Sequence, residues 1–394
     1  MGHQIVSAQD EATWKPQMTI TGYVNTIAEY TDLKNWVDIK QNVGIGLSEA
    51  AFLASYKPLK KLEFKGTMVY FHKIRDIQSL LVEAYGTYTI NPGLKLGAGK
   101  YLTPLSPVNQ YFYAPMNTSA TLPMLVSHHF LLPQSFSGFQ VSGEFGTSFK
   151  TGYNVTYGNY MDTDHPVGGI FGLQGMEDLA GYITSVPNFT KEYLLGGCAR
   201  IYGNYNDILN FGLNYFDGRR ANQPFQELTA NGINTGAVKA TKYTFGVDME
   251  LKLPSGLKVN AEYWMGEQKT TDLANQIKNT YKGYYGEVIY EKGIFSPYLR
   301  YDYVEDVKAT VYMPFPDMAL FNVEFPTKAY TAGIAIRPIY EVLLKLEYKY
   351  INNPVKYSDV NTQVLDQIGL QSSNPLNILY DHYNYFIASL VFSF

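Results

Sequence analysis

The sequence predicts an all-β fold, a transmembrane antiparallel β-barrel of about 16 strands, on three observations. Segments of about ten residues alternate apolar and polar side chains through most of the 394-residue chain, the period of a strand with one face in lipid and one in a lumen. The connections between them alternate between short and long, as bacterial barrels alternate periplasmic turns with outer loops. Aromatic residues and glycine are abundant, with 35 Tyr, 22 Phe and 34 Gly, while only 17% of residues are charged. Such a composition suits aromatic girdles at two membrane interfaces and tilted, closely packed strands.

Other classes fit less well. The sequence has no run of eighteen apolar residues, so it does not read as a helical membrane protein. A mean hydropathy of -0.17 is what a barrel gives when only alternate residues face lipid. A soluble β-sandwich or propeller shares the alternation but has no reason to sort its connections by length. The net charge of -4 argues against nucleic acid, which normally selects a basic excess. One cysteine, Cys198, leaves no internal disulfide and reads as a small wall residue.

Residues 1–12 have the look of an export-signal tail, with Val6, Ser7 and Ala8 as the small-residue cleavage site and Gln9 as the first mature residue. A cloning remnant at Met1 to His3 explains the same letters. Residues 13–394 are expected to form one barrel. Strands are expected near 17–30, 43–56, 62–73, 77–90 and 94–102; then, after a long loop, at 136–148 and 151–160. A second long loop leads to 191–204 and 207–216, and the rest fall near 239–252, 257–266, 280–291, 295–303, 328–337, 341–350 and 382–394. Outward faces follow from the alternation: Met18, Ile20, Gly22 and Val24 in the first strand, Leu209, Phe211, Leu213 and Tyr215 in the ninth. The last strand puts Phe386, Ala388, Leu390, Phe392 and Phe394 on one face. It resembles the C-terminal signal by which the barrel assembly machinery recognises outer-membrane proteins.

The connection at about 103–135 sets the functional question. From Tyr101 to Gly143 there is no Lys, Arg, Asp or Glu. Five prolines, at 104, 107, 115, 123 and 133, break any long helix, and the stretch is too apolar for an ordinary surface loop. It is expected to fold back into the lumen as a constriction. The flanking residues Ala84, Tyr85, Tyr88, Asn91, Pro92, Leu94, Gly97, Gly99, Lys100, Tyr101 and Pro104, with the return through Leu131, Leu132 and Pro133 to Gln140, Ser142 and Gly143, resemble the phosphate-selective porin O/P family of sixteen-stranded outer-membrane porins. The resemblance implies porin architecture and a homotrimer. Family members that select phosphate line the constriction with Lys and Arg, whereas this loop has neither; its residues that titrate near neutrality are His128 and His129.

If apolar positions face lipid, nine basic and ten acidic strand residues line the lumen, Arg200, Lys242, Arg300, Arg337, Lys345 and Lys349 among the first, Glu83, Asp248, Glu262, Glu287, Asp302 and Glu347 among the second. Most serve to solvate and cross-link the wall. The cationic selectivity candidates are Arg200 and Arg300, with Lys242 and Arg337, and with Arg219 and Arg220 if their loop dips inward. Tyr111, Phe112 and Tyr113, beside Asn109, Gln110 and Asn117, suit sugars or small amphiphiles, or pack the loop against the wall. His128 and His129 point oppositely in an extended chain and cannot share a metal from one face. The apolar stretch 167–186 packs on the barrel mouth or meets a partner.

No cofactor follows from the sequence, and no catalytic motif is complete: Gly93 to Lys100 lacks the spacing and the Ser or Thr of a phosphate-binding loop. The expected role is an outer-membrane porin, a passive channel in lipid for small hydrophilic solutes, including anions such as phosphate. Two alternatives stay open: a loop-occluded barrel that scaffolds other envelope proteins, and a barrel enzyme assembling its site from distant strands.

Overall fold

The computed structural model describes residues 14–32, 43–71, 81–111, 113–127, 132–161, 192–222, 239–271, 276–312, 320–352, 356–358 and 382–394. Among these residues seventeen strands and two one-turn helices follow in chain order: β1 (Gln17–Thr31), β2 (Val43–Leu59), β3 (Leu62–Phe71), β4 (Leu81–Asn91), β5 (Leu94–Leu102), α1 (Pro107–Gln110), α2 (Met124–Ser127), β6 (Ser135–Phe145), β7 (Phe149–Met161), β8 (Glu192–Tyr205) and β9 (Leu209–Asn222). The second half holds β10 (Lys239–Lys252), β11 (Leu257–Thr271), β12 (Gln276–Tyr290), β13 (Phe295–Tyr312), β14 (Leu320–Ile339), β15 (Val342–Asn352), the short β16 (Lys356–Ser358) and β17 (His382–Ser393).

Each strand from β1 to β15 pairs antiparallel with the next, β15 pairs with β17, and β17 pairs with β1. Sixteen strands therefore close a barrel with no unpaired edge, the condition for crossing hydrocarbon with a sheet. β16 lies outside this ring and, among the described residues, pairs with the extended end of β14, Asn322 opposite Ser358. The seven connections from even- to odd-numbered strands up to β15 span two to four residues, for example 92–93 and 253–256. The β8–β9 turn illustrates why so few suffice: Asn206 and Asp207 take φ of 50° and 57°, which matches hairpin twist, and Asn204 and Asp207 brace the turn by hydrogen bonds of 2.9 Å.

Alternation decides the faces. Along β9, Phe211, Leu213 and Tyr215 point outward while Asn214 and Phe216 are buried inside. An outward aromatic row runs across β11 to β15, from Tyr263 to Tyr284, Tyr301, Tyr330 and Tyr350, with neighbouring ring centres 5.0 to 6.4 Å apart. This is the girdle expected where a barrel meets the headgroup region. β13 and β14 run well beyond the expected strands, because they continue to pair past the girdle through a bulge at Asp306 to Ala309. The C-terminal residues close the ring as the alternation predicts: Phe386, Phe392 and Phe394 face outward and exposed, and Gly22 and Phe394 exchange two backbone hydrogen bonds of 2.9 Å. A Cβ on Gly22 would lie 2.5 Å from the Phe394 ring and 2.7 Å from the Ala51 carbonyl. Gly22→Val is accordingly expected to strain the seam by about 1–3 kcal/mol, read as a lower urea midpoint of the folded band on semi-native gels; an unchanged midpoint would show that the ring and β2 yield without cost.

Candidate functional site

The loop between β5 and β6 is built locally before it meets the wall. Its two ends are stapled together, since Thr103 N–H donates to the Gln134 carbonyl at 2.8 Å and Asn109 Nδ2 donates to the carbonyls of Thr103 and Gln134 at 3.0 and 3.1 Å. Ser106 caps α1, accepting from Asn109 N–H at 3.4 Å, and Pro107 supplies the first helical residue, where a missing N–H costs nothing. Proline thus allows single helical turns that the sequence reading did not expect, because each turn fits between successive prolines. Further along, Asn117 Nδ2 donates to the Tyr111 carbonyl at 2.7 Å and holds the bend.

The loop carries no charge, yet most of its anchors on the wall are charged. Lys345 Nζ donates to the carbonyls of Ala114 and Ser119 at 2.7 and 2.9 Å, and Arg337 donates to the Pro115 carbonyl at 2.7 Å. Arg300 donates to the Thr121 carbonyl and hydroxyl, both at 2.8 Å, and to Asp302 at 2.9 Å. Carboxylates take the N–H groups: Glu347 accepts from Ala120 N–H at 2.9 Å and from the Thr121 hydroxyl, while Asp302 accepts from Met124 N–H at 2.9 Å. Glu262 accepts from the Ser106 hydroxyl at 2.8 Å, and from Trp264 and Tyr285 at 3.0 Å each.

Apolar packing completes the docking on both sides. Leu105, Met124, Leu125 and Leu132 join the inward faces of Phe136, Phe216, Trp264 and Tyr285, and Tyr113 and Ala114 join Tyr23, Val69, Leu343 and Val391. Tyr113 donates to Glu83 at 2.8 Å; burial, and then the adjacent carboxylate, push its phenol well above the usual tyrosine range, so it stays a neutral donor.

The expected site residues separate into groups. Arg300 and Arg337 hold the loop, and the Arg300 side chain is fully covered, so its charge is spent on the loop and on Asp302. Lys242 is buried, its ammonium 5.6 Å from the Tyr281 ring centre. Arg200 lies on the pore face and pairs with Asp248 at 2.6 Å, its side chain 11% exposed. Arg219 and Arg220, expected in a loop, belong to β9, which pairs with β10 as far as Ala221. Arg219 is exposed on the outward parity of Leu213 and Tyr215, so it does not dip into the lumen; the Arg220 side chain lies outside the described residues. Tyr111 is 51% exposed whereas Tyr113 is buried. Phe112, His128, His129 and the stretch 167–186 lie outside the described residues. Lys345, Glu347 and Asp302, legible only as lumen-facing charges, prove to be the chief anchors; the signal was the complementarity of an uncharged loop and a charge-rich β13–β15 wall.

The remaining described pore face on β6 to β10 is polar and charge-paired. Tyr202 donates to Glu144 at 3.3 Å, the Arg200 guanidinium stands 5.4 Å from the Tyr202 ring centre, and Asn214 donates to Asp248 at 2.7 Å. The Arg200–Asp248 pair lies flat over Gly212, where a Cβ would come 2.3 Å from Asp248 Oδ2 and 2.9 Å from Arg200 Nε.

No family model and no curated protein matches the chain. Its fold is similar to that of solved outer-membrane proteins. A trimer form of OmpT of Vibrio cholerae superposes with TM-score 0.56 at 14% identity over 97% of this chain and 100% of that one. An anion-selective porin from Comamonas acidovorans gives 0.56 at 12% over 96% and 100%. The outer membrane channel DcaP of Acinetobacter baumannii gives 0.54 at 11% over 98% and 99%. The chain is a closed sixteen-strand, porin-like barrel of the bacterial outer membrane.

Proposed function

We propose that the chain is a passive diffusion channel for small hydrophilic solutes, with the loop at 103–134 as its constriction. One observation carries this reading: the loop is held against the inward face of the wall by Lys345, Arg300, Arg337, Glu347 and Asp302, and a segment laid inside a lumen narrows it and so sets what passes. The pore-face cation Arg200 is neutralised by Asp248, and Lys65 by Glu83 at 2.9 Å. With these cations paired, the channel passes neutral solutes and, with a preference that is weak for the same reason, anions such as phosphate. The fold likeness to an anion-selective porin supports the anionic leaning, whereas the loop lacks the Lys and Arg with which the phosphate-selective porins it resembles line their constriction. The likeness to a trimer form supports a homotrimer. In this reading the chain performs no catalysis, and the outward row of Phe386, Leu390, Phe392 and Phe394 serves the assembly machinery.

Single-channel current across a planar bilayer with a tenfold KCl gradient tests the proposal. The expected result is steady conductance with a reversal potential displaced toward the chloride equilibrium and well short of it. Folded protein that passes no current, as an occluded scaffold would, overturns the channel; reversal at the potassium equilibrium overturns the anionic leaning. The anchoring of the loop is tested separately by Arg300→Met. It leaves Glu287 and Asp302 without the cation they pair with, at an expected cost of about 3–5 kcal/mol, and should give a noisier current and protease cleavage within the loop. Quiet current and an uncut loop would show that Lys345 and the apolar contacts suffice.

A further inference from the structure

The pore face on β6 to β10 has the make-up of a solute site, and the inference drawn from it rests on the channel reading. Two aromatic residues stand there, Tyr111 exposed on the loop and Tyr202 on β8, within electrostatic reach of each other. Tyr202 is bonded to Glu144 and faced by the Arg200 guanidinium, and Arg200 and Asn214 share the Asp248 carboxylate at 2.6 and 2.7 Å.

On either side of that carboxylate two buried atoms have no hydrogen-bond partner, Arg200 Nε and Asn214 Oδ1, although Asn214 is only 1% exposed. An orphaned buried donor or acceptor carries a cost of about 1–3 kcal/mol. The two orphans differ in kind. Arg200 Nε needs an acceptor and Asn214 Oδ1 needs a donor, and a hydroxyl group is both. A protonated phosphate also carries a donor beside its acceptors, but its negative charge would meet the Asp248 and Glu144 carboxylates at close range, a repulsion that a neutral hydroxyl avoids. Both atoms are covered, so a solute reaches them as the partly exposed guanidinium shifts.

We propose that this face is a subsite for a neutral polyhydroxylated solute, a linear oligosaccharide, whose ring stacks on Tyr202 and Tyr111 and whose hydroxyls engage Arg200, Asn214 and Glu144. Calorimetric titration of maltohexaose into the folded, detergent-solubilised barrel tests it, run beside current block in a bilayer and beside titration of inorganic phosphate. The expected result is saturable binding of the sugar, not displaced by phosphate. Tyr202→Ala should weaken binding about three- to tenfold by loss of ring contact, Tyr202→Phe should retain most of it, and Asn214→Leu should weaken it. Tyr263→Ala, on the outward girdle, is the control that leaves binding unchanged. Binding without conductance keeps the subsite and overturns the channel. Conductance with no sugar binding, or Tyr202→Ala that binds as tightly as the native chain, overturns the subsite.

Discussion

Everything inside this barrel depends on one constraint: a chain segment placed in the lumen against a wall must find partners for its own backbone. Residues 103–127 bring carbonyls and N–H groups to the inner wall and carry no charged side chain. The wall answers with charges sorted by sign. Ammonium and guanidinium groups of Lys345, Arg337 and Arg300 face the carbonyls at 114, 115, 119 and 121, and carboxylates of Glu347 and Asp302 face the N–H groups at 120 and 124. Hydrogen bonds to ionised groups are stronger than neutral ones, so a few of them hold a loop that has little regular structure. Three of these wall ions are also partnered within the wall, Arg300 with Asp302 and Glu347 with Tyr298, which helps make buried charge tolerable.

Room for the loop comes from how the wall side chains lie. Large inward residues fold flat against glycines on neighbouring strands: Trp264 covers Gly246, where a Cβ would sit 2.3 Å from the indole. The indole nitrogen then reaches Glu262, and Glu262 reaches Ser106 of the loop. A sheet with side chains at every inward position would either fill the lumen or hold the loop off the wall. The glycines therefore act on the loop at a distance, by setting how low the wall lies beneath it.

Much of this was written in the sequence, and the limits have a physical cause. The period of two gave the strands, and through it the inward position of Arg300, Lys345 and Glu347 and the outward position of Phe386 and Phe392, because alternation is a local property of the chain. The ends of β13 and β14 were less legible, since past the girdle the strands persist by pairing with each other rather than by facing lipid. Arg219 was misplaced for the same reason: pairing with β10 carries β9 through a stretch whose letters read as a loop. The roles of the lumen charges were not legible at all. Nothing local distinguishes Arg200, which stays on the pore face, from Arg300, which is covered, because the path of the loop decides between them.

That distinction alters how selectivity should be reasoned about in such a barrel. Counting inward basic and acidic residues weighs Arg300 and Lys345 equally with Arg200, yet Lys345 has given its donors to loop carbonyls and Arg300 to the loop and to Asp302. Protein screens a charge poorly, so it is the opposite charge beside it that cancels most of the field reaching the water. What a passing solute meets is the residue of that neutralisation: Arg200 against Asp248, Lys65 against Glu83, and the hydroxyls, amides and rings between them. On the proposed channel reading the uncharged loop thus acts twice, by narrowing the lumen and by consuming the charges it lies upon, and the surface it leaves exposed favours hydrogen bonding and stacking over net charge.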